Sequence, residues 1–380
     1  MATDINIQKL SIDLCERLLR DLERARRPVL YATKCSLDNS FYNPKVGYLT
    51  PGDKKVATEL NVSSVQKMSR CIFMLELILR NLEVGATNTK RELYYISKGE
   101  IKHNAALKPL DFADQDESDS IIDFICEMME CYREDLNCFA NDRGGQTYSQ
   151  QLVVMETLPD GSKATIDLSS LGTSPFQPKN RPQSLKLKAK KKIDFCLIVE
   201  SEGTANTLVN SGFTRRNNVI LLGAQGVPSN AVRGWTKLIQ DELDVPCYFF
   251  GDLDAYTMQN IFRTLKAGSA ASLIRNSDFS APEVKFLGVL PEDIKRYDLP
   301  DYAVKENDVT ESRALKKARD ALANDPFFKD KKNKGLSDIL KWLIANKRRC
   351  EQQSFFSVNP RDPLMPEKII LDKIKSKNYV

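Results

Sequence analysis

Histidine is what this 380-residue chain most lacks, His103 being the only one. Ser-His-Asp triads, Cys-His dyads that need a further orienting histidine, and multi-histidine metal sites therefore lose their usual parts. His103 itself, between Lys102 and Asn104, reads as a surface residue. Cysteine is present but unpatterned: nine residues, an odd number, run from Cys15 to Cys350 without a CxxC pair. That excludes a disulfide framework or a zinc knuckle and points to a reducing, intracellular compartment, with cytoplasm, nucleoid and nucleus all fitting. No stretch approaches the roughly 18 uninterrupted apolar residues of a membrane span, and Met1–Leu10 has no apolar core beside a cleavage site. The expectation is a soluble chain with no membrane partner. A GxxxxGK[ST] loop is missing too, so any ATP chemistry belongs to another chain. Net charge is only +5, which suits a polyanionic partner without requiring one. With 42% hydrophobic and 28% charged residues, the chain has the composition of a globular protein of two or three domains.

What is there falls into two patterns. The front half is helical. Ile7, Leu10, Leu14, Leu18 and Leu22 recur at helical spacing over residues 5–27, and Met68, Ile72, Leu75, Ile78 and Leu79 do so after Ser63. After a break at Gly85-Ala86-Thr87, the stretch Asn88-Thr89-Lys90-Arg91-Glu92-Leu93-Tyr94-Tyr95 reads as a capped helix start, and another helix runs through Ile121, Ile122, Phe124, Ile125 and Met128. Residues 30–57 are rich in turn formers. Three short helices followed by the strand-like piece Leu152–Met155 suit a winged-helix unit. Residues 157–192 read as a boundary zone, with turns at Pro159-Asp160-Gly161, Gly172, Pro178 and Pro182. It ends on Lys186, Lys188, Lys190, Lys191 and Lys192, a run that fits either contact with DNA phosphates or a solvated face beside a linker. From Ile193 the pattern becomes strand, helix, strand: Ile193–Val199, Val219–Leu222, a helix capped by Ser229, Val245–Phe250, a helix over Ala255–Lys266, then Val284–Val289. Such alternation predicts a parallel sheet with crossover helices. Residues 308–348 are helical and lysine-rich.

Two acidic signatures close two of those strand-like runs: Glu200 after Val199, and Asp252-Leu253-Asp254 after Phe250. Parallel neighbouring strands would gather all three carboxylates at the carboxyl edge of the sheet, where open α/β sheets bind ligands. Asp252 and Asp254, two apart in extended chain, point the same way. Clustered carboxylates repel unless a hard cation sits between them, so the pattern reads as a Mg²⁺ site for phosphoryl chemistry. A lone DxD also occurs as a helix cap; the pairing with Glu200 and the β-α-β rhythm single this one out.

This layout is that of the Toprim module of topoisomerases, primases and some nucleases, and the resemblance then narrows. Thr89-Lys90-Arg91-Glu92-Leu93-Tyr94-Tyr95-Ile96-Ser97-Lys98 is similar to the TKRE-x-YY-x-SK segment of the A-subunit family of archaeal-type DNA topoisomerase VI. Gln115-Asp116-Glu117-Ser118-Asp119, Gly226-Val227-Pro228, Asn324-Asp325-Pro326-Phe327-Phe328, Glu351-Gln352-Gln353 and Pro366-Glu367-Lys368 resemble the same family in the same order, from about residue 40 to near the C-terminus. The resemblance implies an α/β multidomain chain: 1–62, an N-terminal helix and extended segment; 63–150, a winged-helix (CAP-like) domain with the catalytic tyrosine; 151–192, connecting strands and a basic linker; 193–380, a Toprim domain with C-terminal helices. It implies Tyr95 as the nucleophile on a DNA phosphate, Arg91 one helical turn earlier as a phosphate-holding residue, and Glu200, Asp252 and Asp254 as Mg²⁺ ligands. It also implies double-stranded DNA as substrate, a homodimer in which the tyrosine of one protomer works with the metal of the other, and an A2B2 assembly with an ATPase B subunit.

The chain also departs from the family pattern. Where the family reads D-x-DPYG, this sequence has Asp252-Leu253-Asp254-Ala255-Tyr256-Thr257, and after Gly226-Val227-Pro228 two family arginines are missing. Two other readings follow: a meiotic-type double-strand-break transesterase that makes the same cut without relaxing DNA, and a catalytically quiet DNA-binding scaffold of the same fold.

Overall fold

The computed structural model describes residues 6–139, 144–158, 161–179, 184–306 and 309–380, and their side chains apart from those of 309–311. The turns expected at Pro159-Asp160 and Pro182 fall outside the described residues. Contacts divide the chain into two units: Met1–Ser40, Thr50–Asn141 and Ala270–Arg275 form one, and Phe41–Leu49, Asp142–Ser269 and Asn276–Val380 the other.

The first unit packs helices Ile7–Glu23, Val65–Glu83, Lys90–His103 and Gln115–Met129 around Leu18, Met74, Ile78, Leu93, Ile122 and Ile125. Each helix turns an apolar stripe inward, which is where most helix stability in a protein originates. Residues 30–57 do turn, at 44–47, but the stretch also holds strands: Val29–Thr33 and Lys55–Glu59 pair antiparallel, with Tyr31 opposite Ala57. The expected strand piece at Leu152–Met155 belongs instead to the second unit. There Leu152–Thr157 is the middle strand of a three-stranded antiparallel sheet, between Lys163–Asp167 and Leu185–Ala189. The run read as a basic linker is thus partly a strand, with Leu185 and Leu187 buried and Lys186 and Lys188 exposed.

The second unit is built on a five-stranded sheet in the order Lys285–Phe286, Cys247–Phe250, Phe195–Val199, Val219–Gly223, Gln146–Ser149. The first four are parallel and the last is an antiparallel edge. Phe195–Val199, Val219–Gly223 and Cys247–Phe250 are buried at every position, as expected of strands covered on both faces. Helix Asn230–Leu243 begins where Ser229 Oγ accepts from the Val232 amide, and its Trp235 is fully buried. The C-terminal helices Lys334–Asn346 and Met365–Lys375 contribute Leu340, Leu343, Ile369 and Ile370 to the same core. A fully buried pair, Lys373 with Asp293, ties the last helix down. Asp293 also accepts from the Leu290 amide at 2.8 Å and from Asn378 Nδ2 at 2.9 Å. All nine cysteines are free, and among the described residues no helix is long and apolar enough to cross a membrane.

Candidate functional site

Strands Phe195–Val199 and Cys247–Phe250 are parallel neighbours, with Phe250 opposite Val199. Glu200 leaves the end of one and Asp252 follows two residues after the other, so the carboxylates meet at the carboxyl edge of the sheet. The approach is close enough to need glycine twice. A Cβ on Gly251 would stand 2.6 Å from Glu200 Oε2 and 2.4 Å from Phe249 Cε1, and one on Gly288 would stand 2.3 Å from the Gly251 carbonyl oxygen.

Each acid meets a donor. Glu200 Oε2 accepts from the Asp252 amide at 3.1 Å, and the Thr257 hydroxyl lies 3.1 Å from both Glu200 oxygens. Asp254 Oδ1 accepts from the Thr257 amide at 2.6 Å, so Asp254 caps the helical stretch 255–267 while it faces the cluster. Within that stretch Thr257–Phe262 is a π segment, and Thr257 is its first residue. Asp252 Oδ1 accepts from the Gln352 amide at 2.8 Å, and Leu253 and Cys350 exchange both main-chain bonds, at 2.8 and 3.1 Å. A segment a hundred residues downstream therefore completes the site. Gln352 lies in a segment that resembles the family, but nothing in the sequence assigns it, Thr257 or the two glycines to this site. Only Gly251, directly before Asp252, and Thr257, three residues after Asp254, sit where a turn and a cap would draw attention.

Crowding three acids in a buried setting makes ionisation costly. Burial first, then the charge of Asp252, pushes the Glu200 carboxyl up to about 8. Burial, with the charges of Asp254 and Glu351 behind it, pushes Asp252 up to about 6. Asp254 is also raised by burial, with its amide bonds and the charge of Arg349 pulling the other way. The trio is not a ready-made cage: among the described residues no group of three His, Cys, Asp or Glu side chains is set to hold one metal ion. The carboxylates are instead turned onto N–H and O–H donors. Their chemistry still fits a hard cation, since they are oxygen donors whose ionisation burial disfavours for want of positive charge, and the buried Gln352 Oε1 beside them has no hydrogen-bond partner among the described residues.

Tyr95 and Arg91 lie in the first unit on the exposed side of helix Lys90–His103, whose Leu93 and Ser97 face inward. A complete capping box starts this helix: Thr89 Oγ1 accepts from the Glu92 amide at 3.2 Å and Glu92 Oε2 accepts from the Thr89 amide at 2.7 Å. Tyr95 is 59% exposed, and the Arg91 guanidinium carbon is 5.9 Å from its ring centre. Both border an open depression of about 530 Å³ that also takes in Lys90, Gln115, Arg133 and Phe139. Among the described residues the Tyr95 hydroxyl makes no hydrogen bond. Tyr94 is half-buried, its ring edge-on to that of Tyr95 at 5.4 Å and under Lys98 Nζ at 5.3 Å. Of the YY pair, one ring packs and the other is presented to solvent.

An acid after one parallel strand and an acid-x-acid after its neighbour define a Toprim-type fold, and sequence comparison agrees. The Toprim-domain family of Topoisomerase 6 A subunits and Spo11 matches residues 195–369, and the family described as Type IIB DNA topoisomerase matches residues 66–138. The A subunit of Type 2 DNA topoisomerase 6 from Methanocaldococcus jannaschii is 31% identical over 371 residues, covering 96% of this chain and 95% of the relative. Proteins of the same name from Natronomonas pharaonis and Pyrococcus abyssi are 30% and 26% identical, covering 73% and 90% of this chain and 72% and 87% of their own. The chain belongs to the family of topoisomerase VI A subunits, within the type IIB DNA topoisomerases.

Proposed function

We propose that this chain is the DNA-cleaving subunit of a type IIB topoisomerase, working by transesterification at Tyr95. The observation that carries this reading is the meeting of Glu200, Asp252 and Asp254 at one sheet edge inside the stretch that matches the family's Toprim domain. The Tyr95 oxygen attacks a phosphorus of the DNA backbone. As the O–P bond forms the Tyr95 hydroxyl gives up its proton, the P–O3′ bond breaks, the 3′ oxygen leaves as a hydroxyl after taking up a proton, and the 5′ end stays on the tyrosine as a phosphodiester. The bond energy is conserved, so the reverse attack reseals the strand. Arg91, one helical turn before Tyr95, pairs with the scissile phosphate.

Glu200, Asp252 and Asp254 would hold Mg²⁺, which when bound offsets the charge that grows on the phosphoryl oxygens. General acid and base work, passing a proton from the Tyr95 hydroxyl and to the 3′ oxygen, falls to Glu200 or to metal-bound water. The family resemblance supports a homodimer in which each protomer supplies its tyrosine to its partner's acids. In this reading the first unit is a winged-helix domain that carries the tyrosine to duplex DNA. ATP-driven strand passage requires a B subunit in an A2B2 assembly, because this sequence has no phosphate-binding P-loop of its own. Nine free thiols support a reducing intracellular compartment.

The test is supercoiled plasmid with Mg²⁺ and ATP, with and without the cognate ATPase, for wild type and Tyr95→Phe. Wild type is expected to relax plasmid and leave protein on 5′ ends when denatured in mid-reaction, and the Phe variant to bind DNA without linking to it. Cleavage without relaxation would mark the meiotic-type transesterase instead. Binding without any cleavage would mark a quiet scaffold.

A further inference from the structure

The lysine run before the Toprim strands plays no part in the cleavage chemistry, yet the fold organises it. Leu152–Thr157, Lys163–Asp167 and Leu185–Ala189 form a sheet whose inner side buries Leu152, Val154, Leu185 and Leu187. Register then fixes the outer side: Lys186 lies across Met155 from Thr165, Lys188 lies across Val153 from Asp167, and Lys163 pairs with Thr157. Lys163, Lys186 and Lys188 are exposed, as are Lys191 and Lys192 just beyond the strand. Among the described residues no carboxylate stands within ion-pair distance of these five. Asp167, the acid of this side, is taken by Lys190 at 2.9 Å and by the Ser169 hydroxyl and amide. Glu156 turns inward to Lys179, and Asp194 is the one exposed acid that follows the run.

The outer side of the sheet thus carries two lysines whose Cα atoms stand about 6.6 Å apart along one strand, and a third two strand spacings, roughly 10 Å, across and two residues further along. Thr157 on the middle strand and Thr165 beside Lys163 on the edge strand add exposed hydroxyls to the same side. We propose that this outer sheet side is a further contact surface for duplex DNA, gripping phosphates without reading sequence, separate from the cleavage centre. It rests on the reading that the chain acts on DNA. Lysine is suited to this task as a mobile point charge, and release of condensed counterions drives such binding, which makes it salt-dependent.

The experiment measures affinity of the full chain for a labelled linear duplex across a salt series, for wild type, the triple variant Lys163→Gln, Lys186→Gln, Lys188→Gln, and the matching triple arginine variant. Each lost phosphate contact lowers the slope of log K against log salt by about 0.9, so the glutamine variant is expected to lose roughly 2 to 3. Equivalently, wild type loses about 40-fold more affinity than the variant between about 50 and 200 mM salt. The arginine variant is expected to keep the wild-type slope, and all three proteins the same melting temperature. A glutamine variant with an unchanged slope overturns the surface while leaving the DNA reading intact. A wild type that binds no duplex overturns both. Lysine-dependent binding to phosphatidylserine vesicles, with the DNA slope unchanged, would assign the face to a membrane surface instead and also refute the proposal.

Discussion

Removing the acid at the centre of the cluster is expected to stabilise the metal-free fold. Glu200 has an ordinary carboxyl value of 4.5 and is pushed to about 8 by burial and by Asp252. The folded chain therefore binds more protons than the unfolded one between those values, and stability falls as pH rises through that window. Asp252 adds a smaller loss between 3.8 and about 6. A shift of about 3.5 units corresponds to at most about 5 kcal/mol, and water entry together with carboxylate rotation relieves part of it, leaving about 2 to 4 kcal/mol at alkaline pH. Glu200→Gln removes the titrating group and keeps its shape: the amide oxygen can still accept from the Asp252 amide, and the amide nitrogen can donate to the Thr257 hydroxyl. In chelator, hydrogen exchange of the amides in Phe195–Val199 is expected to show the variant more protected than wild type by that amount near pH 9, with the two converging near pH 4.5. Excess Mg²⁺ is expected to close the gap by stabilising wild type alone. A variant no more protected at pH 9, or a difference that ignores pH, would refute the electrostatic account of the cluster.

Thr257→Val deletes the hydroxyl that orients Glu200 at nearly constant volume. Mn²⁺ affinity measured calorimetrically is expected to fall about 10- to 100-fold, with Thr257→Ser keeping wild-type binding; an unchanged valine variant would contradict the positioning role. Gly288→Ala forces a methyl to within 2.3 Å of the Gly251 carbonyl oxygen. It is expected to loosen the turn before Asp252 and lower the melting temperature, and a wild-type melting curve would show that the two strand ends have room. Lys373→Met leaves Asp293 buried without its ammonium and is expected to cost about 3 to 5 kcal/mol in denaturant unfolding, much of it regained when Asp293→Leu is added. Glu92→Ala opens the capping box that starts the tyrosine helix, at a cost of about 1 kcal/mol, read as faster exchange of the Glu92 and Leu93 amides.

The central sheet is legible because Phe195–Val199 and Cys247–Phe250 are covered on both faces. Such strands spell themselves as unbroken apolar runs, and parallel pairing follows from the alternation of helices with strand Val219–Gly223 between them. Glu200, Asp252 and Asp254 are legible for a related reason: charges that directly follow such runs have only the sheet edge to occupy. The strands Val29–Thr33 and Lys55–Glu59 are hidden because their partners lie more than twenty residues apart and half their positions are exposed, so composition reads as turns. Leu152–Thr157 reads into the wrong unit for the same cause. Strand character is local, whereas the choice of partners, here Lys163–Asp167 and Leu185–Ala189, is not. The alternation Leu185-Lys186-Leu187-Lys188 carries a period of two that the lysine count masks. Gln352 reaches Asp252 from far downstream, a contact no spacing rule foresees.

The most direct test of the account is to digest the covalent complex formed with duplex DNA and Mg²⁺ and to map the nucleotide-bearing residue by mass spectrometry. The account predicts a 5′-phosphoryl nucleotide on the Tyr95 oxygen, absent when Asp252 and Asp254 are both replaced by asparagine. A nucleotide on Tyr94 or any other side chain, or an adduct at Tyr95 that forms without those acids, would contradict it.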